Sequence, residues 1–217
     1  MLSKVCVQCG CGLCAPTSWT NFDASPTLRI RRIPVLGTLL ARGRVHFPAN
    51  VHYGDITKGL PIAVSSCEVI YCSHILEHLS LEDLKIALVH TYEYLKPGGV
   101  FRCVLPDLEK IASDYVASSA EQPAVDFMLT LQGGGQWKRG LRGLLEWLGN
   151  SHHLSMWDYK SLAVELRRVG FTAIRRATFG DAEDARFRDV EQETRWVDAL
   201  AIECRKEPAS LGAAPKT

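Results

Sequence analysis

The chain has 217 residues, enough for one α/β domain with a full core and too few for a second independent domain. Its 25 basic and 24 acidic side chains nearly cancel, which excludes a global field drawing it to nucleic acid or an anionic membrane, so neither partner is expected. Eight cysteines diluted into a chain that is 47% hydrophobic read as reduced thiols, and Gln8, Gly10 and Gly12 interrupt the apolar start where a signal peptide would run, so a soluble cytoplasmic protein is expected.

Residues 4–8 are a short β-branched run ending at Cys9-Gly-Cys-Gly12, the pattern of a strand entering a tight turn. Residues 19–23 are a second extended run stopped by Ser25-Pro26, and 51–53 a third, before Gly54-Asp55. Residues 67–73 are apolar with little alternation, as in a strand covered on both faces. Ser80 caps a helix with Asp83 three residues on, placing Leu81, Leu84, Ala87, Leu88, Thr91 and Leu95 on one face, and Lys96-Pro97-Gly98-Gly99 stops it. Residues 100–105 make a further strand ended by Pro106-Asp107.

From 108 to about 155 the pattern is irregular and broken at Gly133-Gly134-Gly135, which reads as an inserted helical lid. Residues 158–170 are a helix with a glycine stop, and 172–178 and 196–204 are two last strands. The Ala-, Pro- and Lys-rich tail, 208–217, is expected to be disordered. Strands alternating with helices or loops predict a mostly parallel sheet in one domain, 1–207.

A strand, a Gly-x-Gly turn and an acidic residue closing the next strand let the backbone approach a nucleotide and offer a carboxylate to ribose hydroxyls. Gly10, Cys11, Gly12 and Asp23 fill that pattern. Cys6, Cys9, Cys11 and Cys14 have the spacing C-x2-C-x-C-x2-C, but the first sits inside a strand and no second ligand cluster follows. They read as small residues packed near the turn, and no metal is expected.

The segments GDITKGLP (54–61), VIYCSHILEHL (69–79) and YLKPGGVFRCVLPD (94–107) follow this turn in the order and spacing of the class I methyltransferases. The chain resembles the large type 11 group over residues 4–110. It is most similar to a branch of short methyltransferases with a GCG turn, a W-x-N-x-D second strand, and LKPGG and PDLE blocks, often linked to glycan or secondary-metabolite pathways. The resemblance implies a Rossmann-like sheet, mostly parallel with an antiparallel last strand, and helices on both faces. S-adenosylmethionine is the implied cofactor, and the implied reaction is methyl transfer to an oxygen or nitrogen of a small-molecule acceptor, with a saccharide or natural product as the class. A non-catalytic cofactor-binding or partner-binding domain is the second reading.

Carried onto matching positions, the resemblance implies that Gly10 and Gly12 face the methionine moiety, that Asp23 holds the ribose, and that Asp55 and Ile56 contact the adenine. Ser73 and His74 would line the pocket, and His78 and Asp107 would face the acceptor. Most members carry an acid where this chain has Gln8, whose amide oxygen can accept from the cofactor amine without adding charge. Ten residues between Gly12 and Asp23 leave the usual first helix shortened or absent, with the arginine-bearing stretch 28–44 as the replacement wall.

His78 is a candidate general base, with His152 and His153 as alternatives. Asp107 reads either as a carboxylate in the cleft or as a helix cap. Trp137 and Trp147 with Lys138, Arg139 and Arg142 read either as an acceptor grip or as an amphipathic helix packing its rings inward. The spread arginines 29, 31, 32, 42 and 44 read as a local basic patch on the surface.

Overall fold

A computed structural model of the chain describes residues 6–25, 28, 46–132 and 153–208. Among these, seven strands form one sheet: β1 (Cys6–Cys9), β2 (Thr20–Asp23), β3 (Val51–Tyr53), β4 (Cys67–Ser73), β5 (Leu95–Pro106), β6 (Phe171–Arg176) and β7 (Ala199–Lys206). Their order is β3-β2-β1-β4-β5-β7-β6. The first five run parallel, and β7 is antiparallel to both β5 and β6. The order reverses between β1 and β4, and open α/β sheets bind ligands beyond the strand ends at such a point.

One face of the sheet presents Val7, Cys9, Ile70, Cys72, Phe101 and Ile202 to helices α1 (Leu81–Tyr94) and α4 (Tyr159–Val169), which seal it with Leu84, Leu88, Leu162 and Leu166. Ser80 Oγ accepts the Asp83 N–H and donates to the Asp83 carboxylate at 2.8 Å, which satisfies the first turn of α1. Gly170 closes α4 at φ 110°, a backbone angle that a side chain would strain.

The opposite face carries Cys6, Val69, Tyr71, Val104 and Ala201, and among the described residues it is covered by Trp19, Phe187 and Val190. Phe187 and Val190 belong to the excursion 177–198 between β6 and β7, which folds through two 3₁₀ turns, Ala185–Asp189 and Glu193–Arg195. Arg102, fully buried on β5, fastens the excursion to the sheet. Its guanidinium donates to Glu191, to Glu203 at 2.9 Å, to Asp181 at 2.9 Å and to the Thr178 carbonyl at 2.8 Å. It also lies 4.7 Å over the Trp196 ring.

Residues 10–19 between β1 and β2 form turns and contain no helix, in line with the short spacing to Asp23. The stretch 29–45, expected as the substitute wall, lies outside the described residues. The described segment occupying that side of the glycine turn is 177–198. After β5 come α2 (Leu108–Ala117) and α3 (Pro123–Leu131), which bury no residue and touch through Tyr115 and Phe127, rings 4.9 Å apart. The rest of the expected lid, 133–152, and the tail from 209 lie outside the described residues. Among the described residues no helix is long and apolar enough to cross a membrane.

Candidate active site

The carboxyl ends of β1 to β4 surround a cavity of about 640 Å³, within the range of small-ligand sites. Gly10 and Gly12 form its floor at φ +71° and +54°. A Cβ on Gly10 would stand 2.6 Å from the Ser73 carbonyl oxygen and 2.5 Å from the Ile75 side chain, so β1 and the end of β4 approach this closely only over glycine. The N–H groups of Gly10 and Cys11 both donate to the Phe22 carbonyl, at 3.0 and 3.2 Å, which folds the turn back over β2.

Asp23 lines this cavity at the end of β2. One carboxylate oxygen accepts the Gly12 N–H at 3.0 Å and the other the Ser25 N–H at 2.7 Å. A carboxylate has about four acceptor positions, so roughly two remain for a vicinal diol. Asp55 also lines the cavity and caps the 3₁₀ turn Ile56–Lys58, accepting from Thr57 N and Oγ1. Burial raises its pKa, but the hydrogen bonds from Thr57 and Lys58 prevail and hold the carboxyl below its ordinary range. Ile56 supplies an apolar wall beside it.

His74 stands at the end of β4 with φ 51°, an angle uncommon outside glycine. Its ring is fixed on both sides, Nδ1 3.1 Å from Glu77 Oε1 and Nε2 3.0 Å from the Arg195 carbonyl. His78 follows on the same wall, beside Leu79 and Leu154. Behind His78 are the buried carboxylate of Glu77 and the half-buried His153, whose ring centroid is 5.2 Å from that of His78. Burial lowers the His153 pKa and the Glu77 charge only partly offsets this, so the ring is neutral near pH 7.

The remaining expected site residues stand elsewhere. Gln8 is buried on β1 and does not reach the cavity wall; its amide nitrogen donates to Asn21 Oδ1 and, at 2.7 Å, to the Cys14 carbonyl. That makes it a clamp for the β1–β2 loop. Gln8→Glu would set a buried carboxylate against two acceptors, and is expected to lower the melting temperature by roughly 4–10 °C without tightening cofactor binding. Tighter binding at unchanged melting temperature, measured by calorimetry and thermal denaturation, would return Gln8 to the pocket.

Cys11 packs in a small apolar cluster with Leu28 and Val51, and Ser73 is buried beneath the pocket, where its carbonyl accepts from Arg195. Asp107 caps α2 through the Glu109 N–H and pairs with Arg176 at 3.2 Å, which gives its carboxylate a structural occupation away from the cavity. Cys6 lies on one face of the sheet, Cys9 on the other and Cys11 in the third cluster, so these thiols do not converge. Burial pushes Cys9 and Cys11 up to about 12, away from the thiolate form a metal needs. His152, the two lid tryptophans at 137 and 147, the basic residues 138, 139 and 142, and the arginine patch 29–44 lie outside the described residues.

Arg195 is the site residue the sequence did not disclose. Its guanidinium donates to the Ser73 carbonyl at 3.1 Å and comes 3.6 Å from where a Cβ of Gly12 would sit. No motif surrounds it; it reaches the cavity because Arg102 fixes the 177–198 excursion across the sheet.

A methyltransferase-domain family model matches residues 4–175. The fold is similar to a SAM-dependent methyltransferase from Archaeoglobus fulgidus, with TM-score 0.52 and 14% identity over 94% of this chain and 86% of that one. It is also similar to a Thermotoga maritima protein described as a SAM-dependent methyltransferase, possible histamine N-methyltransferase, with TM-score 0.50 and 15% identity over 93% and 82%. Neither match singles out the type 11 group. A search of curated proteins returned no significant match. With the 3-2-1-4-5-7-6 sheet, the glycine floor and the Asp23 carboxylate, the match over most of its length shows that the chain belongs to the methyltransferase-domain family and is a class I S-adenosylmethionine-dependent methyltransferase.

Proposed function

We propose that this methyltransferase acts on an oxygen or nitrogen of a small molecule, with a saccharide or natural-product hydroxyl as the acceptor class. The observation that carries this reading is the position of His78 on the wall of the cavity that holds the glycine floor, together with His74 and Leu154. Bound over that floor, S-adenosylmethionine supplies an electrophilic methyl group on a sulfonium. Asp23 would hold the ribose hydroxyls and Asp55 with Ile56 the adenine. Arg195, beside Gly12, would meet the carboxylate of the methionine moiety as a charge-assisted pair.

His78 would receive the acceptor's proton, with the buried Glu77 carboxylate 3.9 Å from its Nε2. The protein's remaining task is to align donor and acceptor, which can supply a large part of the rate. Eight free cysteines, seven of them buried, support a reducing compartment, the cytoplasm.

The test is methyl transfer followed by mass spectrometry on a panel of small hydroxyl and amine acceptors. His78→Ala is expected to lower turnover by roughly 10²–10⁴-fold while S-adenosylhomocysteine binds as before. Equal turnover would take the proton from His78, and product formed only on proteins or nucleic acids would overturn the small-molecule reading.

A further inference from the structure

Glu77, His78 and His153 each offer one ligand atom, and the three atoms lie within 4.8 Å of one another. The chain converges there because Glu77 and His78 sit in the 3₁₀ turn Leu76–His78 after β4, while the Glu77 carbonyl accepts the N–H groups of Leu154 and Ser155 at 2.8 and 3.1 Å. Those two bonds tie the returning chain, and His153 with it, to the same turn.

Two polar atoms in this cluster are buried without a hydrogen-bond partner among the described residues: Oε2 of Glu77, in a residue 1% exposed, and Nδ1 of His153. The other carboxylate oxygen of Glu77 is occupied by His74. A buried acceptor left open is destabilising, more so for a charged group, unless a proton donor or a cation meets it.

We infer that Glu77, His78 and His153 form a binding site for a divalent first-row transition-metal ion at the acceptor end of the cavity. Two imidazoles and one carboxylate are the donor set that suits zinc and its neighbours, and three protein ligands leave positions open for water or substrate. A triangle of 4.8 Å edge has its centre about 2.8 Å from each corner, so side-chain shifts under about 1 Å bring the atoms to zinc distances. The Glu77–His74 hydrogen bond, continued to the Arg195 carbonyl, orients the carboxylate as the outer partners of metal ligands do. Resting on the reading that this end receives the acceptor, the ion would bind the acceptor hydroxyl, with His78 then serving as its ligand in place of taking the proton. A hydroxyl so bound gives its proton to solvent water more readily, and its oxygen is left as the nucleophile.

The experiment is zinc chloride titrated by calorimetry into the full-length, chelator-stripped protein, with magnesium chloride as the control. One zinc per chain is expected, with a higher melting temperature and no comparable magnesium binding. Glu77→Gln and His153→Asn should each weaken zinc binding at least tenfold, while all eight cysteines remain. Absence of saturable binding by the parent chain overturns the proposal, as does zinc bound equally by parent and both variants, since that zinc would lie elsewhere on the chain. If Glu77→Gln does not fold, His153→Asn decides. S-adenosylhomocysteine binding by the stripped parent separates the two ideas: cofactor binding without zinc binding removes the metal site alone, and small-molecule transfer absent with and without zinc removes the acceptor reading.

Discussion

Arg102→Met is expected to lower the melting temperature by roughly 6–20 °C, the largest effect among single changes away from the cofactor floor. Arg102 is fully buried and faces three carboxylates: Glu191, whose side chain is 2% exposed, Glu203 and Asp181. Removing one partner of a buried ion pair costs about 3–5 kcal/mol, because the remaining charges keep their desolvation penalty and lose their compensation. Arg175 still reaches Glu203 at 2.8 Å and Asp181 at 2.7 Å, so the loss concentrates on Glu191, which among the described residues keeps the Gly180 N–H.

The same change should weaken cofactor binding, because the segment held by Arg102 brings Arg195 into the cavity. Adding Glu191→Gln should recover part of the melting temperature by removing the stranded charge. A melting temperature within a degree or two of the parent would show that the excursion is held by its apolar contacts alone. Acid acts on the same network. Burial opposes ionisation of Asp181, but hydrogen bonds from Arg175, the backbone near Thr178 and Arg102 hold its carboxyl well below the ordinary range. The stability it contributes is complete above its unfolded pKa of about 3.9 and is lost as pH falls through the depressed folded value.

The sequence was most informative where a local rule and the tertiary fold agree. β1 and β4 are short, mostly apolar runs, β1 ends at Gly10 and β2 is stopped before Ser25-Pro26, and the Ser80–Asp83 cap and the Gly170 stop set α1 and α4. The Gly-x-Gly turn and Asp23 were legible because one backbone approach needs glycine and one strand end carries the acid. Strand β5 begins at Leu95, inside a segment whose Pro and glycines read as a stop; Leu95 pairs with Cys67 and Gly98 at φ 80° lets the chain continue straight from α1. β7 begins at Ala199 rather than 196, since Asp198 takes φ 53° in the preceding turn.

The excursion 177–198 was illegible for a different reason. It has neither helical nor strand period, and its cohesion comes from Arg102, Glu203 and Phe187, residues far apart in the chain. Its Arg195 on the cavity wall was therefore invisible, while the stretch 29–44, read as a wall, lies outside the described residues. Glu77 passed unnoticed because only the return of the chain at 153–155 reveals what its carboxylate faces.

Asp23→Ala is expected to reduce affinity for S-adenosylhomocysteine tenfold or more. Each hydrogen bond from a ribose hydroxyl to a carboxylate is worth about 1.5–3 kcal/mol, and 1.4 kcal/mol is a factor of ten. The carboxylate also fastens the turn, so its loss frees the Gly12 and Ser25 N–H groups and loosens the floor. Asp23→Asn separates the two contributions. Its amide keeps one oxygen for a backbone N–H but turns a donor toward the other, so the turn is half held while the charge-assisted ribose bonds are lost. Calorimetry should rank affinity as parent, then Asn, then Ala, with the larger step between parent and Asn. An affinity unchanged in Asp23→Ala, with the melting temperature preserved, would mean that the ribose is held elsewhere, and the glycine floor would lose its meaning as a cofactor site.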